Sequence, residues 1–200
     1  MDSGHPPAPV VALTDALTRA FDLARSAHAG QTRRGTAVPY LSHLLAVAAL
    51  VLEFGGDETA AIVALLHDVV EDCGGAARLA EIRGEFGDEV AVMVSALSDT
   101  DQDPKPPWRP RKEAAIERLK NDSPATQLVA FCDKLHNARS IVADLATFGA
   151  STWSKFNGGR DGTLWYYRSL VEVASGSSLS PRLVAEFSAT VTEMHRLSGE

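Results

Sequence analysis

The chain has 200 residues, of which 45% are hydrophobic and 22% charged, and its formal net charge is −7. This size and composition predict a soluble globular protein with a sizeable core, and the negative charge disfavours generic nucleic-acid binding, which needs a basic face. No apolar run reaches membrane-spanning length, and two cysteines without a spacing pattern indicate a reduced, cytoplasmic protein.

Hydrophobic residues recur at helical spacing along nearly the whole sequence, which predicts an all-α fold. Residues 1–12 have neither the basic segment nor the apolar core of a signal peptide, and we expect a flexible leader there. Helices are then expected over 14–29, 41–54 and 57–73, with a polar loop at 31–40 after the first. Asp57 has the residue type and position of a helix cap.

The second half of the chain is also predicted to be helical. Two helices over 76–84 and 87–98 should be separated at Phe86-Gly87, and the proline-rich residues 98–112 should form an exposed connection. Further helices are expected over 111–121, 124–147 and 163–175, with a glycine-containing insert at 149–162 and a final amphipathic helix after Ser178. The prediction is one bundle of about eight to ten helices, in which 177–200 pack on a domain formed by 13–176.

Residues 65–72, LLHDVVED, place a histidine and three acids in an otherwise aliphatic segment. On a helix, His67 would lie one turn before Glu71, and Asp68 one turn before Asp72. Burying unpaired carboxylates is strongly unfavourable, and a cation bound by the histidine and the first acid would remove that cost. Taken alone, the pattern fits a solvent-facing acidic edge beside a core histidine better than a metal site.

Two other apolar helices each carry one further residue of a metal-ligand type. His43 lies in PYLSHLLAVAALV and Asp133 in LVAFCDKLHNARSI. Individually, the first could be a core histidine bonded to a carbonyl, and the second a buried acid paired with a lysine or arginine. Together with His67 and Asp68 they favour a mixed nitrogen and oxygen site, compatible with Mn, Fe, Zn or Co.

The order His43, His67-Asp68, Asp133 resembles the H…HD…D pattern of the HD-domain metal-dependent phosphohydrolases. Four longer segments, AHAGQTRRG, PYLSH, ALLHDVVED and CDKLHNARS, are similar to the hydrolase domain of the RelA/SpoT alarmone enzymes. In size and layout the chain most resembles their stand-alone small alarmone hydrolases. The resemblance implies an HD-type phosphohydrolase domain over 13–176. It also implies that the four residues hold one divalent ion, most often Mn²⁺.

The resemblance implies that Glu71 and Asp72 correspond to the family's acidic pair, which positions and deprotonates the attacking water. These acids could instead orient the ligating histidines by hydrogen bonds, and the two roles can coexist. The family reaction removes pyrophosphate from the ribose 3′ position of guanosine tetra- or pentaphosphate, ppGpp or pppGpp. A metal ion and a few arginines can make one pocket of an acidic protein attractive to such an anion.

Arg33 and Arg34 match the family's basic pair, and one of these side chains is expected to stack on the guanine. The other positions that the resemblance assigns to the substrate are Arg109, Arg111, Lys112, Asn137 and Tyr166. The alternative for the basic residues is a solvated face, and for the tyrosine it is packing in the core. Lys134 and Arg139 are assigned first to ion pairing or packing.

The sequence departs from the family at Leu44, Gly35 and the insert FNGGRDGT, which leaves the ligands and acids intact but bears on guanine selectivity. An alternative is therefore a broader nucleotide phosphohydrolase, for example one acting on the 2′-phosphate of NADPH. A non-catalytic nucleotide sensor is less favoured, because such proteins usually lose a ligand or an acid. The expected partner is a small anionic nucleotide, with no nucleic acid and no membrane, and the sequence leaves the oligomeric state open.

Overall fold

The computed structural model describes residues 11–98 and 106–199, and the regular elements in these ranges are all helical. The helices are α1 (Asp15–Ala27), α2 (Leu41–Glu53), α3 (Glu58–Leu66), α4 (Val69–Cys73), α5 (Gly75–Leu97), α6 (Trp108–Asn121), α7 (Pro124–Phe148), a 3₁₀ helix (Gly149–Lys155), α8 (Gly159–Ser175) and α9 (Pro181–Leu197). The all-α prediction is confirmed. Most of the expected leader, residues 1–10, lies outside the described residues.

Side-chain caps explain where several of these helices begin. Asp57 accepts a hydrogen bond from the amide of Ala60 at the start of α3 (2.9 Å), as the sequence predicted. Ser123 and Ser180 cap α7 and α9, and each is followed by a proline in the first turn. Proline is favoured there because a helix has no acceptor for its first amides.

Helices α2, α3 and α7 form the centre of the core, and their buried residues are mainly aliphatic. Helix α9 extends this core, since the ring of Phe187 contacts Phe131 of α7 and Tyr167 of α8 at centroid distances of 5.4 and 6.3 Å. Among the described residues, no helix is both long enough and apolar enough to cross a membrane. The expected ligands His43 and Asp133 lie on two of these central helices, α2 and α7, and His67 and Asp68 directly follow α3.

The expected helix over 57–73 is wrong in one respect, because it is broken at the HD motif. Helix α3 ends at Leu66, and α4 begins at Val69. The His67 ring donates from Nδ1 to the carbonyl oxygen of Ala64 (2.7 Å), which is the acceptor that a continuous helix would offer to the amide of Asp68. A side chain that takes over a backbone acceptor competes with the regular helical hydrogen bonds.

The predicted separation at Phe86-Gly87 is confirmed, since Gly87 adopts a φ of 88° and kinks α5. The expected connection at 98–112 is too long, because α6 already begins at Trp108. Pro110 lies in the first turn of α6, where its missing N–H removes no helical hydrogen bond. Residues 99–105 of that connection lie outside the described part of the chain.

The insert predicted at 149–162 is more regular than expected. It contains the 3₁₀ helix, in which Thr152 and Trp153 are buried, and α8 starts at Gly159 rather than at 163. The buried tryptophan packs against Phe156, with ring centroids 5.9 Å apart. These apolar contacts account for the order of a segment whose glycine content suggested a loop.

Trp108 packs on the first turn of α8. A Cβ atom added at Gly158 would lie 2.7 Å from the Cη2 and Cζ2 atoms of its indole, and one added at Gly162 would lie 3.1 Å from Cζ3. The indole also makes edge contacts with Trp165 and Tyr166, at centroid distances of 6.3 and 6.4 Å. The two glycines of the insert therefore leave the space in which the indole is seated.

We expect Gly158→Ala to destabilise the fold by about 1–3 kcal/mol, because its methyl group would overlap the Trp108 ring and overpacking costs about this much. The measurement is the free energy of unfolding in urea. Gly84→Ala is the matched control, since a Cβ there meets no atom within 4 Å. Alanine at that helical position should gain about 0.5–1 kcal/mol over glycine. Equal stability of the two variants would contradict the close packing of the Trp108 ring against Gly158.

Candidate metal centre and its cavity

Three buried side chains from separate helical segments meet in the core. His43 on α2, His67 after α3 and Asp133 on α7 offer ligand atoms that all lie within 4.8 Å of one another. His43 Nε2 lies 3.2 Å from Asp133 Oδ1, and His67 Nε2 lies 3.8 Å from the same oxygen. The exposed fractions of these residues are 1%, 4% and 7%, so the cluster is largely shielded from bulk solvent.

Asp68, the fourth expected ligand, borders the same cluster. Its Oδ2 atom lies 2.9 Å from His67 Nε2 and 3.8 Å from His43 Nε2. The hydroxyl of Tyr40 donates to this oxygen at 2.5 Å and so fixes the carboxylate. Because the chain breaks out of the helix here, the neighbouring residues 67 and 68 both reach one centre.

The nitrogens of the two histidines are oriented for binding a cation. His67 uses Nδ1 for the Ala64 carbonyl, which turns its buried Nε2 toward the carboxylates of Asp68 and Asp133. His43 Nδ1 is hydrogen-bonded to His136 Nδ1 at 2.7 Å, which leaves its Nε2 toward Asp133. Neutral imidazoles and carboxylates are good ligands for divalent metals, so the residues present fit such an ion.

The electrostatics of the cluster favour a positive charge. Burial alone would lower the pKa of His67, but the carboxylates of Asp68 and Asp133 outweigh burial and raise it to about 9. Burial would also raise the pKa of each carboxyl group. The His67 ring beside Asp68, and the Lys134 ammonium beside Asp133, instead hold both pKa values well below their usual range. Both acids therefore stay ionised at neutral pH.

The cluster borders a cavity of about 760 Å³, within the size range of small-molecule sites. Asp68 and Asp133 line it, together with the basic side chains of Arg33, Arg34, Arg111, Lys112, Lys134 and Lys155. Acidic and basic groups thus share one cavity. Such a cavity suits a cation and a polyanion that bind side by side.

Two of the expected substrate residues are connected to the cluster by a chain of hydrogen bonds. Arg33 donates from Nη2 to Asn137 Oδ1 at 2.7 Å, and Asn137 donates from Nδ2 to Asp133 Oδ1 at 2.6 Å. The loop that carries Arg33 is closed by an isolated β-bridge between Thr32 and Pro39. These contacts connect the position of the guanidinium group to the position of the acid on α7.

The other expected substrate residues divide into two groups. The structure brings Arg34, Arg111, Lys112 and Tyr166 to the cavity wall. Arg109 does not line the cavity, since its guanidinium carbon lies 3.2 Å from the ring centroid of Trp165 and its Nε donates to Glu113 at 2.8 Å. The expectation that Arg109 contacts phosphate is therefore unsupported, because its cation is already engaged by Trp165 and Glu113.

The expected catalytic acids, Glu71 and Asp72, lie on α4, directly after the HD motif, and neither belongs to the cavity wall. Asp72 is exposed, and its Oδ2 accepts a hydrogen bond from Gln31 Nε2 at 2.8 Å. The amide of Asp72 donates to the carbonyl of Asp68 at 2.9 Å, which connects α4 to the motif. The two acids thus follow the HD motif directly in sequence, but their side chains do not line the cavity.

Sequence reasoning missed several residues of this region. Tyr40, His136, Lys155 and Trp108 line the cavity, although none was assigned to it. The tyrosine and the histidine stand in the quoted motifs PYLSH and CDKLHNARS, so their polar groups in apolar helices were available as a signal. The ion pairs expected for Lys134 and Arg139 are confirmed, with Asp133 and Glu186 as partners.

The HD domain profile matches residues 20–164, which is most of the chain. The chain belongs to the HD-domain family. Two curated relatives also confirm the resemblance to the RelA/SpoT enzymes. A probable GTP pyrophosphokinase of Mycobacterium leprae is 38% identical over 129 residues, covering 62% of this chain and 16% of that protein. The bifunctional (p)ppGpp synthase/hydrolase SpoT of Escherichia coli is 35% identical over 131 residues, covering 62% of this chain and 18% of that protein.

This HD-domain chain thus spans less than a fifth of the length of these curated relatives. Solved structures match it over much more of their length. The crystal structure of lmo0812 from Listeria monocytogenes is 30% identical with a TM-score of 0.66, covering 80% of this chain and 99% of that one. A metazoan ortholog of SpoT that hydrolyses ppGpp is 23% identical with a TM-score of 0.75, covering 92% and 98%, and supports the fold.

We expect Asp133→Asn to weaken binding of a divalent metal by the HD domain at least about 100-fold, since losing a residue outside the ligand set already costs 10–100-fold. The measurement is titration of metal-free protein with Mn²⁺ by calorimetry. Asp144→Asn is the matched control, because Asp144 lines the same cavity but pairs with Lys155 at 2.8 Å, away from the cluster. Equal affinities of the two variants would refute a metal centre at Asp133.

Proposed function

We propose that this HD domain is a metal-dependent hydrolase that removes pyrophosphate from the ribose 3′ position of ppGpp and pppGpp. The observation that carries the proposal is a buried His–Asp cluster bordering a cavity lined by arginine and lysine side chains. Relatives from Escherichia coli O157:H7 and Vibrio cholerae that bear the name guanosine-3′,5′-bis(diphosphate) 3′-pyrophosphohydrolase, each 35% identical, support this substrate. The products would be GDP or GTP together with pyrophosphate.

The four residues that would hold the ion are His43, His67, Asp68 and Asp133, and we propose Mn²⁺ as the metal. Two nitrogen and two oxygen donors agree with this choice and do not favour the soft metals that thiolate ligands select. When bound, a divalent ion supplies Lewis acidity, which polarises a phosphoryl oxygen and lowers the pKa of water. Tyr40 would keep the Asp68 carboxylate in place through its hydroxyl hydrogen bond.

The basic residues would bind and orient the anionic substrate. Arg34, Arg111 and Lys112 line the cavity and would neutralise phosphate charge. Arg33 would stack its planar guanidinium on the guanine, held in place by its 2.7 Å hydrogen bond to Asn137. Asn137 would lie near the ribose, and Tyr166, which also lines the cavity, would contact the nucleotide.

Glu71 and Asp72 would manage the proton of the attacking water. Hydrolysis adds the water oxygen to the phosphorus on the ribose 3′ oxygen, breaks that P–O bond and delivers a proton to the 3′ oxygen, which becomes a hydroxyl. A carboxylate next to the cluster can accept the water proton, and Gln31 would hold the Asp72 oxygens in one orientation. The acids' position beside the wall fits an approach of water from that side.

We also propose that residues 13–176 form the catalytic unit and that 177–200 complete its core. The contacts of Phe187 with Phe131 and Tyr167 support this division of the chain. A cytoplasmic location is part of the proposal, supported by the free thiols of Cys73 and Cys132.

The test is a screen of nucleotides with Mn²⁺-loaded protein, in which products are identified by mass. We expect ppGpp and pppGpp to release pyrophosphate, and Asp68→Ala to lose both the metal and turnover. Asp22→Ala is the control, because it removes an exposed acid of α1 that pairs with Arg25. Release of phosphate from NADPH or a nucleoside monophosphate, with ppGpp left intact, would replace the proposed substrate by the broader alternative.

We expect Glu71→Gln and Asp72→Asn each to lower kcat by about 10²–10⁴-fold, the usual contribution of a general base. Their affinity for Mn²⁺ should change by less than about threefold, because they act on the water and do not hold the ion. Steady-state kinetics together with metal titration separates the two effects. Loss of metal binding in either variant would make that acid a ligand or a support for one, and unchanged kcat would remove it from the mechanism.

A further inference from the structure

The two histidines of the cluster are held by different kinds of partner. His67 donates from Nδ1 to a backbone carbonyl, that of Ala64, at 2.7 Å. A carbonyl can only accept, so this contact fixes a proton on Nδ1 and leaves Nε2 as the nitrogen that can bind a cation. His43 instead meets a second imidazole, with 2.7 Å between its Nδ1 atom and His136 Nδ1. An imidazole nitrogen can donate or accept, so this contact alone fixes neither tautomer.

The two possible directions of this hydrogen bond have opposite consequences for His43. If His136 donates, the neutral His43 ring carries its proton on Nε2, which points toward Asp133 Oδ1 at 3.2 Å and cannot bind a cation. If His43 donates, its Nε2 carries the lone pair that a metal requires. The second arrangement needs His136 to accept through Nδ1 and to keep its own proton on Nε2.

We propose that His136 is a positioning residue for the metal centre, which accepts a hydrogen bond from the Nδ1–H group of His43 and thereby presents His43 Nε2 to the cation. This inference rests on the metal-binding part of the proposed function and is independent of the identity of the nucleotide. It assigns a role to a residue that the sequence singled out only as part of the CDKLHNARS segment.

The positions of Asp133 and His136 on α7 favour this hydrogen-bond arrangement. His136 follows Asp133 by three residues on α7, so the two side chains leave the same side of that helix. The His43 ring lies against both, with Nε2 toward the acid and Nδ1 toward the histidine, and the two imidazole centroids are 4.8 Å apart. One turn of α7 therefore supplies a ligand to the metal and also orients the ligand that comes from α2.

His136 also lines the cavity, so a change in activity alone would not separate positioning from substrate contact. The test is therefore Mn²⁺ affinity of metal-free protein, by calorimetry or by the electron paramagnetic resonance signal of free Mn²⁺. The matched pair is His136→Asn, which keeps an acceptor near the Nδ1 position, and His136→Leu, which has nearly the same shape without one.

We expect His136→Leu to bind Mn²⁺ about 10–100-fold more weakly, as for other residues that orient a metal ligand. His136→Asn should stay within about threefold of the parent protein. Thermal unfolding without metal should give similar midpoints for both variants. If the leucine variant does not fold, His136→Phe, which retains a flat ring without an acceptor, takes its place.

Parental Mn²⁺ affinity in the leucine or phenylalanine variant would overturn the proposal, and so would equal weakening in the asparagine and leucine variants, which would point to packing alone. A parent protein that binds no divalent cation would overturn both this role and the metal centre. A parent that binds Mn²⁺ but leaves ppGpp intact would overturn the substrate proposal only, and the comparison of the His136 variants would still decide the role of that residue.

Discussion

The structure depends on one electrostatic constraint, which is that two ionised carboxylates lie inside an apolar helical bundle, Asp133 buried and Asp68 half-buried. Such charges are tolerated only when positive charge and hydrogen bonds compensate their desolvation. The surrounding groups supply that compensation, since Tyr40 donates to Asp68, while Lys134 and Asn137 donate to Asp133. The same groups fix the carboxylate oxygens, so the compensation that permits burial also holds the oxygens in position for a cation.

Much of this arrangement could be predicted from the sequence because it follows from local patterns. Apolar residues at helical spacing mark α2 and α7, and the caps Asp57 and Ser123 set where two helices begin. Ligand-type residues inside apolar helices could be selected because their burial requires a compensating partner. This logic identified the residues but not their partners, since His43 and His136 are 93 positions apart and meet only in the folded chain.

The features that escaped prediction depend on contacts between distant segments or on competition at one residue. Helical spacing favours a continuous helix through the HD motif, yet the hydrogen bond from the His67 ring to Ala64 competes with that regularity. Helix α6 begins at Trp108 within a proline-rich segment, where the indole packs against Gly158. Arg109 has the charge of a phosphate ligand, but the nearby Trp165 ring engages it on another face. Residue type alone cannot distinguish these outcomes.

The cavity contains charges of both signs, and a bound cation would change their balance. Asp68 and Asp133 repel a polyanion, whereas Arg33, Arg34 and the neighbouring basic residues attract it. Among the described residues, six basic side chains line the cavity against the acids Asp68, Asp133 and Asp144, so the cavity already favours an anion. A divalent cation on Asp68 and Asp133 would cancel their charge and strengthen that attraction. The hydrogen bonds from Arg33 to Asn137, and from Asn137 to Asp133, connect the Arg33 guanidinium to one of the carboxylates on which the cation would bind. A cavity in an acidic protein can thus attract an anionic ligand, and it would do so more strongly once its cation has bound.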